Sequence, residues 1–115
     1  MKILLIEDNP DIKELLNYIL KDEGHKVISS SDATSLNSLD KIKPDLILMD
    51  EILSEQRGSV FCRRLKNNDA TKHIPVVLIS AMTNLKDLAL ECGADAYIEK
   101  PFDIDTLVGV VKSFT

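Results

Sequence analysis

Four apolar residues, Leu46-Ile47-Leu48-Met49, run straight into a carboxylate at Asp50, with Asp45 before them and Glu51 behind. A short unbroken apolar run of this kind suits a strand covered on both faces, as in a parallel sheet with helices on either side. Ile3-Leu4-Leu5-Ile6, Val76-Val77-Leu78-Ile79 and the shorter Ala96-Tyr97-Ile98 repeat the pattern, and Val27-Ile28 with its serines is a weaker fifth. Segments of helical period separate them. Asn9 and Pro10 read as the N-cap and first residue of a helix with Ile12, Leu15, Leu16, Ile19 and Leu20 facing inward and Gly24 as its stop. Residues 32–42 read as a helix on Ala33, Leu36 and Leu39, diluted by serine and asparagine. Gly58 precedes a third helix carrying Val60, Phe61 and Leu65 to about Asn67. Leu85 to Cys92 form a fourth, stopped by Gly93, and Asp103 caps a fifth with Ile104, Leu107, Val108 and Val111 on its inner face. The order is β-α five times over, which predicts an α/β fold: a doubly wound, five-stranded parallel sheet with five helices on two faces. Strand order 2-1-3-4-5 suits the length, and residues 1–115 are expected to form a single domain.

The net charge of −5 argues against direct nucleic-acid binding, which needs a basic footprint. No apolar stretch approaches the ~18 residues of a membrane span and no signal peptide opens the chain, so a cytoplasmic location without membrane contact is expected. Cys62 and Cys92 read as small buried hydrophobes rather than a disulfide or metal pair. His25 and His73 have no ligand-like partner at short spacing and read as structural or solvated residues.

The carboxyl ends of the strands carry the chemistry. The first offers Glu7 and Asp8, the third Asp50, the fourth Ser80 and the fifth Lys100. In the expected order the first and third strands are neighbours at the switch point, where open α/β sheets hold their ligands. Three carboxylates would therefore converge beside a hydroxyl and an ammonium. Two carboxylates ~5 Å apart repel by roughly 3 kcal/mol at an effective dielectric of 20. A cation relieves that repulsion, and an all-oxygen acidic set with room for waters selects a hard ion such as Mg2+. The blander reading leaves the carboxylates splayed into solvent with Lys100 paired to one of them. It does not explain why all five polar residues fall at strand ends of the same direction.

These residues carry a resemblance. Glu7-Asp8, Asp50, Gly58, Ser80-Ala81, Gly93-Ala94-Asp95, Tyr97 and Lys100-Pro101-Phe102 stand in the order and spacing of the receiver domain of two-component response regulators, a flavodoxin-like fold. The resemblance spans the whole chain. It implies that Asp50 is the phosphoacceptor for a histidine kinase or phosphotransfer protein, with Mg2+ held by Asp8, Asp50, the Ile52 backbone carbonyl and, mostly through water, Glu7. Lys100 and Ser80 would bind phosphoryl oxygens, Ala81 would leave room for the group to enter, and Ser80 with Tyr97 would form the switch read by a downstream target protein or output domain. It implies further a cis Lys100-Pro101 bond, and apolar residues, Ile52 and Met82, flanking the path of hydrolytic water. The chain departs from the family at Ser54, where a proline is usual, and at Arg57, where an acid is common and which is expected to pair with Glu55 or a partner. It is also shorter between Ala81 and Gly93, around helix 4. No output domain follows the last helix, so a stand-alone receiver or a piece of a larger regulator is expected.

Three rivals share parts of this pattern. A flavodoxin-type FMN binder wants a hydroxyl- and glycine-rich loop where Glu7-Asp8-Asn9-Pro10-Asp11 stands. A haloacid-dehalogenase-type phosphatase wants a second aspartate where Ile52 stands. A receiver-like interaction module that no longer takes phosphate sits ill with the intact set of Asp8, Asp50, Ser80 and Lys100.

Overall fold

Side-chain alternation along the strands sorts the apolar residues into two layers, one on each side of a single sheet. A computed structural model describes all 115 residues. It contains β1 (Lys2–Ile6), α1 (Pro10–Asp22), β2 (Lys26–Ser30), a 3-10 stretch (Ala33–Ser38) running into α2 (Leu39–Ile42), β3 (Leu46–Asp50), α3 (Gly58–Lys66), β4 (Val76–Ser80), α4 (Leu85–Cys92), β5 (Ala96–Glu99) and α5 (Ile104–Lys112). The strands lie in the order β2-β1-β3-β4-β5 and every pair is parallel, as the sequence predicts. Leu4, Ile6, Ile47, Met49, Val76 and Leu78 face one way, under Leu39 of α2, Cys62 and Leu65 of α3, and Leu85 and Ala89 of α4. Their chain neighbours Ile3, Leu5, Leu46, Leu48, Val77 and Ile79 face the other, under Leu16, Ile19 and Leu20 of α1 and Leu107 and Val111 of α5. Every residue of β3 is buried, which is why its sequence is apolar without alternation.

Capping fixes where α1 and α5 begin. Asn9 Oδ1 accepts from the amides of Asp11 (3.0 Å) and Ile12 (3.1 Å), and Asp103 Oδ1 accepts from that of Thr106 (2.6 Å). Gly24 and Gly93 follow α1 and α4 at φ +89° and +80°, the left-handed stop that a Cβ would disfavour.

Four details depart from the sequence reading. The segment 32–42 is mostly 3-10, with only its last four residues α-helical. Asp32 Oδ1 caps the segment by accepting from the Thr34 amide and hydroxyl, its serines and asparagine favour α-helix poorly, and Lys43 ends it at φ 50°. Gly58 is the first residue of α3 rather than the one before it. Leu15 and Ile104, expected inward, are 49% and 57% exposed, so the buried stripes of α1 and α5 are narrower than their apolar patterns. Val60 is likewise solvent-facing. Cys62 and Cys92 are buried free thiols, as expected; burial, first of all, and the neighbouring Cys92 push the Cys62 thiol far above its ordinary range.

Candidate functional site

Parallel register brings the strand ends together. Ile6 of β1 pairs with Met49 of β3, so Glu7 and Asp50 leave the sheet side by side. Asp50 pairs with Ile79 of β4, and Ser80 with Glu99 of β5. The Lys100 amide then donates to the Ser80 carbonyl at 2.8 Å, which holds the last strand end against the fourth. Residues far apart in sequence therefore meet at one edge.

Carboxylate oxygens of Glu7, Asp8 and Asp50 all lie within 4.8 Å of one another. Glu7 is wholly buried, Asp50 nearly so, and Asp8 is exposed at the mouth. Lys100 Nζ sits 3.1 Å from Asp50 Oδ2 and 3.4 Å from Glu7 Oε1, one ammonium between two carboxylates. Its peptide bond to Pro101 is cis. Burial pushes the Glu7 carboxyl up to about 7, with its hydrogen bond to Asp50 and that group's charge adding to the rise, while Lys100 opposes it. Glu7 Oε2 is buried without a hydrogen-bond partner. A buried carboxylate oxygen left unsatisfied is costly, so this atom is a place for a ligand. An all-oxygen donor set, in acidic excess over one lysine, fits a hard divalent cation.

Ile52, Ser80 and Ala81 occupy the same edge, while Tyr97 lies within β5, back from it. The Ile52 amide donates to Asp50 Oδ1 at 3.2 Å, fixing that carboxylate from the loop side, while the Ile52 side chain is half-exposed. Ser80 is buried, and its Oγ accepts from the Met82 amide at 3.2 Å, leaving its own proton free to be donated. Ala81 is exposed at the mouth. Tyr97 is half-buried beside the α3/α4 layer, pairing in register with Leu78.

Two residues matter in ways the sequence does not announce. Glu51 is wholly buried, with Oε1 accepting from the Ser59 amide at 2.5 Å and Oε2 from the Ser59 hydroxyl at 2.8 Å. Arg57 pairs with this carboxylate at 3.8 Å rather than with Glu55, and its Nη1 also meets Met82 Sδ at 3.4 Å. Glu55 is engaged elsewhere, accepting from the Ala33 amide at 3.2 Å. An anion at the first turn of α3 satisfies amides that no helix bond can reach. Gly58 is the second. A Cβ there would stand 2.3 Å from the Asp50 carbonyl oxygen, so only glycine lets α3 start against the end of β3. The Gly58 amide closes the junction by donating to the Glu51 carbonyl at 2.8 Å.

Comparison with known proteins agrees with this geometry. The model of the response regulator receiver domain matches residues 3–112. The phosphate regulon transcriptional regulatory protein PhoB of Escherichia coli is 37% identical over 115 residues, covering 97% of this chain and 50% of PhoB. The DNA-binding response regulator MtrA of Mycolicibacterium smegmatis is 35% identical, over 97% of this chain and 49% of its own. The chain thus spans about half the length of the curated relatives it matches. Among solved structures, the receiver domain of a histidine kinase from Syntrophus aciditrophicus superposes with a TM-score of 0.89 at 34% identity, covering 98% of this chain and 88% of that one. The receiver domain of a Pseudomonas aeruginosa sensor histidine kinase, solved with a magnesium ion coordinated in its active site cleft, gives 0.87 at 25% identity, over 98% and 95%.

Proposed function

The chain belongs to the response regulator receiver domain family of two-component systems, signalling domains, and from that membership we propose that it takes a phosphoryl group onto Asp50 and passes on the resulting change of shape. The observation that carries this reading is the setting of Asp50: a buried carboxylate at the end of the central strand, with an ammonium at 3.1 Å and two further carboxylates beside it. The donor is a phosphohistidine of a histidine kinase or phosphotransfer protein. An Asp50 carboxylate oxygen attacks phosphorus, the P–N bond breaks, and its electron pair returns to the imidazole. Lys100, already on Asp50 Oδ2, holds an incoming phosphoryl oxygen, and the Ser80 hydroxyl donates to another. Glu7, Asp8, Asp50 and the Ile52 carbonyl would hold Mg2+, which when bound offsets charge on the transferring group. Ala81 leaves the mouth open.

Residues 1–115 act as one receiver domain in this reading, catalysing only their own phosphotransfer and dephosphorylation. Movement of Ser80 toward the phosphoryl group frees space for Tyr97 to turn, and a target protein or output domain reads that change. The chain itself contacts neither nucleic acid nor membrane. No helix is long and apolar enough to cross a bilayer, and the family's partners favour a cytoplasmic setting.

Incubation with Mg2+ and acetyl phosphate should add one phosphoryl mass to the intact chain, and Asp50→Asn should abolish the gain. A gain that survives Asp50→Asn refutes the assignment to Asp50; no gain at all in the native chain favours a receiver-like module that no longer takes phosphate.

A further inference from the structure

All three arginines of the chain, Arg57, Arg63 and Arg64, fall between residues 57 and 64. With Lys66 they give residues 57–66 a charge of +4 and no acid, in a chain of net charge −5 that carries −9 elsewhere. Arg57 is bound to Glu51 and Lys66 to Asp95 at 2.8 Å, but neither Arg63 nor Arg64 pairs with any carboxylate. Arg63 Nη2 instead reaches across to the Glu91 carbonyl of α4 at 3.3 Å, and Arg64 lies over the Phe61 ring at 5.8 Å. Each guanidinium thus has one protein contact and keeps most of its donors free.

They border a groove of about 550 Å³ between α3 and α4, with Val60 and Leu88 supplying apolar wall and the Glu91 side chain standing at one edge. Solvent-facing arginines beside an apolar wall suit bidentate capture of carboxylates. We propose that this α3–α4 groove is a docking surface for an acidic, leucine-bearing segment of a partner protein. Charge complementarity selects that occupant. A second copy of the chain meeting this face through a two-fold axis would set like charges against each other. Nucleic acid would meet the acidic remainder of the surface as well as the groove.

The surface adjoins the phosphoacceptor edge, because Ser59 lines the groove and also holds Glu51, the residue after Asp50. The groove's arginines and apolar wall are all in place without a phosphoryl group on Asp50, so docking there is tested apart from the role given to Asp50.

The test uses a fluorescein-labelled helical peptide alternating leucine pairs with glutamates, a lysine-substituted version of it, and a single-stranded oligonucleotide. Amide resonances of Ser59, Val60, Arg63, Arg64 and Leu88 should shift on titrating the acidic peptide, and the lysine version should leave them in place. Arg63→Glu with Arg64→Glu should weaken the acidic peptide by roughly tenfold or more, about 1.4 kcal/mol per decade, while circular dichroism stays native. Raised salt should weaken it too. Shifts confined to other surfaces, affinity unchanged in the double variant, or tighter binding of the oligonucleotide at these residues would each overturn the proposal. So would a dimer in sedimentation that the double variant dissolves, since the occupant would then be a second copy.

Discussion

Glu7 is the residue of the candidate site whose chemistry is furthest from that of a free side chain. Its carboxyl, raised from 4.5 to about 7, holds its proton more tightly in the folded chain than in the unfolded one. The folded state therefore binds more protons between those values, and stability should fall as pH rises through that window. One pKa unit is worth about 1.4 kcal/mol, so the loss is at most about 3–4 kcal/mol. Urea unfolding in metal-free buffer should show this decline in the native chain, and Glu7→Gln should flatten it; identical slopes would rule out Glu7 as the source. On the proposed assignment, water attacking a phosphorylated Asp50 would meet Ile52 and Met82, whose side chains can neither orient that water nor take its proton. Ile52→Asn, by orienting the water, and Met82→Glu, by orienting it or taking its proton, should each speed decay of the phosphorylated chain by up to roughly 10²-fold, as a time course of retained phosphoryl mass will show. Asp8, Asp50, Ser80 and Lys100 were legible because each ends a strand whose apolar run is itself plain. Glu51 was not, since its burial depends on α3 folding back to offer the Ser59 amide and hydroxyl, a tertiary event with no local signal.

Elements meet most closely where α3 begins. Gly58→Ala would thrust a methyl group to 2.3 Å from the Asp50 carbonyl, so α3 or the end of β3 must shift. Overpacking of this kind costs about 1–3 kcal/mol, and the same shift should slow phosphorylation by acetyl phosphate. Gly109 provides the contrast, being exposed inside α5 with nothing within 4 Å of a built Cβ. Gly109→Ala should stabilise by about 0.5–1 kcal/mol through helix propensity alone. Thermal unfolding of the pair checks both signs, and a Gly58→Ala chain as stable as the native one would mean the junction yields freely. At this scale the sequence was readable where caps are strong, as at Asn9, Asp103 and Gly93. It misleads over 32–42, where apolar spacing survives but residues that favour α-helix poorly close mostly as 3-10, and at Leu15 and Ile104, whose apolar character exceeds the width of the face that packs.

The whole molecule has two apolar layers but one sheet between them. Leu48 and Met49, adjacent in β3, belong to opposite layers and are both fully buried. Leu48→Ala and Met49→Ala should each cost about 2–5 kcal/mol. Both should move one unfolding transition rather than two, seen as coincident melts by far-ultraviolet dichroism and by labelling of the buried Cys62. Topology was legible at this scale, because four unbroken apolar runs leave few ways to wind a parallel sheet. The α3–α4 groove was not, since it arises from how two helices lean together. Lys100 reaches Glu7 across 93 positions and Asp50 across 50. During synthesis, then, the acidic pair is made early and stands without its ammonium until the last strand has been threaded into place. A domain clipped before β5 would keep both carboxylates and lose the counter-charge they share, leaving it mute rather than misleading.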